Sequence, residues 1–332
     1  MDMYKMIEFD KVKEKWLALV LTSQAADKIN NMHHILNEKE LRIALRDTTS
    51  AKCFIEMCGT PPLAAIDEAK EIILQASKEG CLTPYQLERM EKFLVVIQRL
   101  KDYLKRGKAY ENTLAYYEEN LETKEELREE IARQIRGGRV DDYATKELLR
   151  IRNDISKIQE KTKQKADQIV RSNADCMADS YSTMRNGRIC VPVKKEYKRK
   201  IEGSVIDKSS TGNTLFIEPS SIAKLQEELS LLKIEEENEV YRVLYTLTAM
   251  VANTADIMDA NIVMIEKLDY IFSKGKLSID MEAVEPQINL NRKIDIKNAR
   301  HPLMEKELCV PMHFKIGDDV KGIVITGPNT GG

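Results

Sequence analysis

The sequence predicts a mainly α-helical fold with a small β element and the first strands of an α/β domain. Charged residues make up 32% of the 332 residues and aromatic residues only 6%. The 14 glycines and 9 prolines are few for a protein built from many short strands and turns. Two long segments lack both residues and carry apolar positions at three- and four-residue steps. Long, solvated helices are therefore favoured over a β-sandwich or barrel.

Residues 1–140 predict a helical core domain, because apolar residues recur there on single helical faces. One predicted helix ends at the breaker Gly59-Thr-Pro-Pro62, and Thr83 caps another whose first position is Pro84. The predicted helices cover about 7–20, 38–57, 66–80 and the residues from Pro84 onward.

Residues 141–184 and 220–274 predict two long antiparallel helices. Leu148, Ile151 and Ile155 begin the seam of the first, which at about 40 residues would measure roughly 60 Å. The second is predicted to run without interruption from Ser220 to about Phe272, or roughly 80 Å. Helices of globular proteins usually span 8–20 residues, so this length favours a paired rod over two ordinary core helices.

Residues 185–219, between these helices, predict a small β tip. Asn186-Gly187 is typical of a hairpin turn, and residues 209–213 form a second polar turn. Strands are predicted over 188–193, 203–206 and 214–217.

Residues 275–332 predict the start of an α/β domain, with strands at 294–296 and 314–316 and a buried parallel strand at 323–325. That strand leads into Gly327-Pro-Asn-Thr-Gly-Gly332. Gly327 and Gly332 have the spacing of the two glycines in a phosphate-binding P-loop, where backbone N–H groups surround a phosphate. A glycine-rich turn without a ligand is the alternative. The lysine and hydroxyl residue of the motif would follow Gly332, so we expect a piece of a longer protein that does not itself hydrolyse ATP.

A cluster of basic residues marks the β tip, although the whole chain has a formal charge of −2. Glu196 is the one acidic residue within 185–200. Such clustering is typical of contact with a phosphate backbone, and few aromatic residues are present for base stacking, so non-specific duplex binding fits best. A solvated loop is the alternative. The candidate nucleic-acid-binding residues are Arg185, Arg188, Lys194, Lys195, Lys198, Arg199 and Lys200.

The remaining expectations concern His301, Arg300, the cysteines and the location of the protein. His301, between two predicted strands, is placed to pack near an adenine, although a lone histidine is more often structural. Arg300 is suited to pair with a phosphate or a carboxylate. No CxxC pair occurs among the six cysteines, which we expect to be reduced thiols, and no metal site is expected. Without a signal peptide or a long apolar stretch, we expect a cytoplasmic protein without membrane contact.

Several segments resemble the MutS family. "ARHPLM" at 299–304 and "GIVITGPNTGG" at 322–332 are similar to the entry of that family's ATPase domain. "RNGRICVPVKKEYKRKIEGSVIDKSSTGNTLFIEP" at 185–219 and "CGTPPLAAIDEAKEII" at 58–73 are similar to its second bacterial type, whose full-length members end in an Smr nuclease domain.

The resemblance implies a core, lever helices and a clamp in a homodimeric ATPase that clamps branched DNA and restrains recombination. It implies ATP with Mg²⁺ in the full-length protein, and it places the tip cations in the clamp. Some members are linked to stalled ribosomes, so a ribosome-associated ATPase is one alternative and a coiled-coil scaffold is another. The implied nucleotide-binding residues are Gly327, Pro328, Asn329, Thr330, Gly331, Gly332 and His301.

Two departures from the family limit these expectations. We expect these residues to begin at the core domain, without a mismatch-reading domain, and to include no Smr domain for nuclease activity. Phe216-Ile-Glu218 spells the F-x-E pattern that classical members use at a mismatch, but here it closes a tip strand before Pro219. We therefore expect neither mismatch recognition nor cleavage from these residues.

Overall fold

The computed structural model describes residues 3–78, 80–305, 307–317, 320–324 and 326. Helices dominate, which confirms the predicted mainly α fold. Among the described helices, none combines the length and apolar character needed to cross a membrane. The helices are α1 (Met3–Met6), α2 (Phe9–Leu17), α3 (Ser23–Asn30), α4 (Glu38–Cys58), α5 (Asp67–Ser77), α6 (Pro84–Gly107), α7 (Glu125–Gln134), α8 (Lys146–Ser172), α9 (Ser220–Ala252) and α10 (Ala255–Asp280). The strands are β1 (Ile135–Arg136), β2 (Arg139–Val140), β3 (Thr183–Arg185), β4 (Arg188–Lys194), β5 (Gly203–Lys208), β6 (Thr214–Pro219), β7 (Ile294–Ala299) and β8 (Met312–Ile316).

The chain divides into two compact units, the first formed by residues 1–73, 92–124 and 254–332 and the second by residues 74–91 and 125–253. In the first unit α4 packs against α10, and an aromatic cluster fills the core. Phe54 stacks on Tyr103 with ring centroids 4.9 Å apart, and both rings meet Phe272 edge-on.

The second unit contains α8 and α9 as an antiparallel pair. The Thr145 hydroxyl donates to Glu239 Oε1 (2.6 Å), while seven residues later Arg152 Nε donates to Glu236 Oε1 (2.8 Å). Thr145 also caps α8, since its Oγ1 accepts from the N–H of Leu148. The predicted seam is buried between the helices at Leu148, Ile151, Ile155, Ile158 and Thr162.

Both predicted long helices are shorter than expected. The first ends at Ser172, because Asn173 leaves helical geometry and its side chain donates back to the carbonyl of Ile169. The prediction that the second helix runs without interruption to about Phe272 is wrong, because the helix breaks at Asn253-Thr254. Neither glycine nor proline marks this break, but Asn and Thr side chains compete for backbone hydrogen bonds and favour helix ends. Thus α9 belongs to the second unit and α10 to the first.

A four-stranded antiparallel sheet in the order β3-β4-β6-β5 forms the β tip. The three predicted strands are confirmed, and β3 is an additional strand whose first two residues lie in the segment predicted as helix. Asn186 and Gly187 both have positive φ, at 49° and 74°, as the hairpin turn between β3 and β4 requires. The sheet has its own small core, which includes the last turn of α8. The core residues are Val170, Met177, Val191, Val193, Ile201, Leu215 and Ile217.

After α10, the chain forms the predicted strands β7 and β8, which pair as an antiparallel ribbon. The prediction of a buried strand at 323–325 is wrong for Ile323 and Val324, the two of its residues that the structure describes. Ile323 is 42% exposed and Val324 is 88% exposed, and neither is in a strand. A buried strand needs neighbouring strands and covering layers, whereas the described residues around it form only this ribbon. Ile325 and the glycine-rich residues 327–332 lie outside the described residues.

Candidate nucleic-acid interface

The seven predicted basic residues are exposed, but the structure divides them between the two ends of β4. Arg185 and Arg188 flank the hairpin turn where β4 begins. Lys194 ends the strand and leads into a 3₁₀ helix at Lys195–Lys200, which we call the basic turn. The six-residue advance along β4 separates the two groups by about 20 Å. Adjacency in the sequence therefore does not produce one continuous patch.

At the hairpin end, both arginines have partners within the tip. Arg188 Nη1 donates to Glu218 Oε2 at 2.5 Å, and Glu218 is only 2% exposed. The Arg185 guanidinium lies over the Phe216 ring, 4.3 Å from its centroid, and its Nε is 3.9 Å from Asp207 Oδ2. These contacts hold β3 and β4 against β5 and β6.

The same contacts fix the F-x-E residues. Phe216 is 8% exposed beneath Arg185, and the carboxylate of Glu218 is committed to Arg188. Neither side chain is placed to insert into a nucleic acid. Cys190, on β4, is fully buried, and burial raises the pKa of its thiol to about 11. This end of the sheet is therefore built for packing and internal pairing.

The basic turn differs in its pairing. Tyr197 packs against the tip core and Ile201 is buried just after the turn, so the turn is anchored while its cations point outward. Lys200 Nζ lies 5.2 Å from the Tyr197 ring centroid. Within the part of the chain that the structure describes, no carboxylate lies in ion-pair range of the turn's four cations. These are Lys195, Lys198, Arg199 and Lys200.

Lys194 is intermediate between the two groups, since its Nζ donates to the backbone carbonyl of Asp175 (3.0 Å) rather than to a carboxylate. Beside it, a shallow cavity of about 610 Å³ is lined by Lys194, Lys195, Glu196 and Asn213. The backbone N–H of Lys195 donates to the carbonyl of Asn213 (2.9 Å), which fixes the basic turn to the loop between β5 and β6. Asn213 was missed because it is distant in sequence from the cluster.

A groove of about 630 Å³ between α8 and α9, close to the sheet, contains further cations. Lys161 and Lys165 line it from α8, and Lys224 lines it from α9. Glu202 and Glu228 line the same groove, so its net charge is small. The four-residue spacing of the two α8 lysines is the one sequence signal that could have identified this surface.

His301 lies in the first unit with internal partners. Its Nδ1 accepts from the N–H of Leu303, its own N–H donates to Cys309 Sγ, and its Nε2 is 4.0 Å from Glu8 Oε2. The pKa of Glu8 is lowered mainly by its hydrogen bond with Lys11, with only a minor contribution from His301. The neighbouring Arg300 is 3.9 Å from Glu282. Because residues 327–332 lie outside the described residues, nucleotide binding by His301 remains a prediction.

At the end of the helix pair far from the β tip, the carboxylate of Glu239 is paired with Arg242 and Thr145. It is 8% exposed and accepts from Arg242 Nε (2.7 Å), Arg242 Nη2 (2.6 Å) and Thr145 Oγ1 (2.6 Å). These bonds, the Arg242 bond above all, lower the pKa of Glu239 against the opposing effect of burial. The Glu239 carboxylate thus joins the start of α8 to α9.

Comparison with known proteins gives one consistent result. No family model matches the chain. It is 34% identical over 334 residues to endonuclease MutS2 of Clostridium botulinum (strain Eklund 17B / Type B) and 33% identical over 334 residues to endonuclease MutS2 of Alkaliphilus oremlandii (strain OhILAs). It is 32% identical over 330 residues to endonuclease MutS2 of Finegoldia magna. These alignments cover 98–99% of this chain but 42% of each relative, so the chain spans about two fifths of their length.

Proposed function

The chain belongs to the MutS2 family, the second bacterial type of MutS, and on this premise we propose that its β tip is a clamp that binds the phosphate backbone of DNA. The observation that carries the proposal is the basic turn, where four exposed cations, which have no carboxylate partner among the described residues, project from an anchored element. Cations that are not neutralised internally can displace the counterions of a nucleic acid on binding, which is the main source of non-specific affinity.

This mode of binding depends on backbone charge rather than on base sequence. If all four cations of the basic turn contact phosphates, they contribute roughly −3.6 to the slope of log affinity against log salt. DNA that brings two duplex arms together offers more phosphates to a clamp than a single duplex does, which supports branched DNA as the preferred ligand. Restraint of recombination would follow from holding such branches.

ATP and Mg²⁺ enter the proposal through the motif that begins at Gly327. In the longer protein, we propose that residues 327–332 hold ATP and that two subunits act together as a homodimer. ATP can move the clamp only if it binds the open and closed states with different affinities. The 332 residues contain the two glycines of the motif but not its lysine and hydroxyl residue, so we expect them to show no ATP turnover in a phosphate-release assay. Measurable turnover would contradict this part of the proposal.

The decisive experiment neutralises the basic turn. Binding of the chain to duplex DNA, a four-way DNA junction and ribosomes is measured from 50 to 300 mM salt. The test variant replaces Lys195, Lys198, Arg199 and Lys200 with glutamine. The control variant makes the same change in net charge elsewhere, at Lys5, Lys39, Lys146 and Lys297, which are exposed.

We expect the test variant to flatten the salt slope on DNA by about three to four units and the control to leave it nearly unchanged. An unchanged slope in the test variant would reject the basic turn as the clamp surface. Binding to ribosomes without binding to DNA would favour the ribosome-associated alternative, since RNA presents the same phosphates. Failure to bind any polyanion would leave the scaffold alternative.

A further inference from the structure

The groove between α8 and α9 brings together charged side chains of both signs. Lys161, Lys165 and Lys224 line it, and so do Glu202 and Glu228. All five side chains are exposed, and among the residues that the structure describes none of the five has an opposite charge in ion-pair range. The groove therefore holds three cations and two carboxylates that do not neutralise one another by direct contact, so all five are available to a ligand.

The fold fixes the position of these charges. Each of the two α8 lysines directly precedes a buried residue of the helix seam, Thr162 or Ala166. The lysines therefore lie along one edge of the seam, one helical turn or about 6 Å apart. On the other side of the groove, the N–H of Ser220 donates to the carbonyl of Glu202 (2.9 Å) and so joins the start of α9 to the segment before β5.

The mixture of charges decides which ligand chemistry fits. A carboxylate can only accept hydrogen bonds, and a DNA backbone has no hydroxyl to donate, so Glu202 and Glu228 would repel it. A ribose phosphate offers both partners that the groove needs: phosphates for the lysines and hydroxyl donors for the carboxylates. Dinucleotide-binding folds use the same division of labour, with an acidic residue on the ribose hydroxyl.

The size and lining of the groove indicate a small ligand. Its volume of about 630 Å³ is in the usual range for small-molecule sites. Among the described residues that line it, Leu225 is the one apolar side chain and none is aromatic, so a base finds no ring on which to stack. The groove is therefore suited to the sugar and the phosphates of a nucleotide rather than to its base. The other lining residues are Gln164, Gln168, Ser220 and Ser221.

We propose that this groove binds a free ribonucleotide. Lys161, Lys165 and Lys224 hold the phosphates, while Glu202 and Glu228 accept hydrogen bonds from the ribose hydroxyls. The site goes beyond the proposed clamp, because it uses neither the basic turn nor residues 327–332. An RNA strand carries the same ribose phosphates, but the limited volume of the groove favours the free nucleotide. Since the lining is exposed, we expect weak binding, with a Kd of about 100 µM.

The ribose is tested by titration calorimetry with UTP and with 2′,3′-dideoxy-UTP, which lacks both ribose hydroxyls. The dideoxy ligand should bind the 332-residue chain at least fivefold more weakly, whereas CTP should match UTP within about twofold. Hydrogen exchange locates the site: UTP should slow amide exchange at residues 161–168 and 220–228. Equal binding of UTP and its dideoxy form, or protection without any effect on these two segments, would overturn the proposal.

The lysines are tested by the double variant Lys165→Gln and Lys224→Gln, which should bind UTP at least tenfold more weakly. The matched control is Lys163→Gln with Lys233→Gln, since it removes one exposed lysine from each helix outside the groove lining. The control should bind UTP within about twofold of wild type. If both double variants lose the same affinity, general charge attracts the nucleotide and the groove is not its site.

Glu228→Gln separates a hydrogen bond to ribose from simple electrostatics, because the two predict opposite signs. Loss of a carboxylate that accepts from ribose should weaken UTP about fivefold without weakening the dideoxy ligand. Loss of a merely repulsive charge would strengthen both ligands, and that result would overturn the role of the carboxylates. The neighbouring Glu227→Gln is the control, since Glu227 is exposed but does not line this groove.

A single-stranded RNA octamer distinguishes the two sources of ribose phosphate. Its binding is compared with that of UTP in the wild type and in the Lys165→Gln and Lys224→Gln double variant. We expect the groove lysines to contribute no more to octamer binding than to UTP binding. An octamer that binds at least tenfold more tightly than UTP, with this gain lost in the double variant, would overturn the free nucleotide as the occupant in favour of RNA.

Discussion

Both ends of strand β4 carry basic residues, but the two ends use them differently. At the hairpin end, Arg188 is held by the buried carboxylate of Glu218, and Arg185 lies between Phe216 and Asp207. At the other end, the basic turn holds its cations on an anchored backbone without carboxylate partners in the described residues. Charges paired within the fold stabilise it, whereas unpaired charges remain available to a ligand. The number of basic residues in a segment therefore overstates the surface that can bind a polyanion.

Removing the buried carboxylate tests this comparison most severely. Glu218→Gln should destabilise the tip by about 1.5 kcal/mol, because it replaces a charged hydrogen bond, discounted for the exposure of Arg188, by a neutral one. Hydrogen exchange of the β4 and β6 amides should then become roughly tenfold faster. Arg188 would also become free to bind phosphate, so the salt slope on DNA should steepen by up to about 0.9.

Glu227→Gln is the control for this prediction, since Glu227 is exposed and the change in charge is identical. If both variants leave amide exchange at the wild-type rate, Glu218 does not hold the hairpin. If Glu218→Gln loosens the tip without changing the salt slope, pairing does not withhold Arg188 from the ligand.

The second prediction concerns the paired arginines themselves. The double variant Arg185→Gln and Arg188→Gln should change the salt slope on DNA by less than one unit, because these cations already have partners. The matched double variant Lys195→Gln and Lys198→Gln should flatten it by about two units. Both variants remove two charges, so a salt titration compares them directly. Equal slopes for the two would show that the ends of β4 do not differ in binding.

The elements that the sequence predicted well are those with a strong local signal. The hairpin at Asn186-Gly187 and the seam that begins at Leu148 depend on neighbouring residues, and both are confirmed. Strand β3 was missed because no glycine or proline separates it from the preceding helix. The break at Asn253-Thr254 was missed because the apolar spacing continues through it without a glycine or proline.

The candidate site shows the same limit more clearly. The sequence located the basic cluster but could not divide it, because the partners that neutralise Arg185 and Arg188 lie more than 20 residues away on β5 and β6. Asn213 approaches Lys194 and Lys195 only after the sheet has formed, and Lys224 approaches the α8 lysines only after the helix pair has formed. Pairing between distant residues is set by tertiary structure, which a count of charges along the chain does not contain.

The smallest predicted effect extends the comparison to a paired charge outside the tip. Glu239 has a lowered pKa because it accepts from Arg242 and Thr145, so at low pH the unfolded chain binds its proton more readily than the folded chain does. Its contribution is therefore complete above the ordinary glutamate pKa and is lost as pH falls towards the lowered value. Glu239→Gln should cost about 1 kcal/mol at pH 7, or roughly 2–4 °C in Tm.

The pH dependence of the Tm difference separates a loss of charge from a loss of packing, because a loss of packing would not change with pH. The difference in Tm between wild type and Glu239→Gln, followed by circular dichroism at 222 nm, should shrink as pH falls from about 6 to 3. Glu237→Gln is the control, because Glu237 is exposed on the same helix and its change in charge is equal. A Tm difference that stays constant with pH would mean that Glu239 acts through its shape rather than its charge. In that case the division between paired and free charges would hold at the β tip but not at the base of the helix pair.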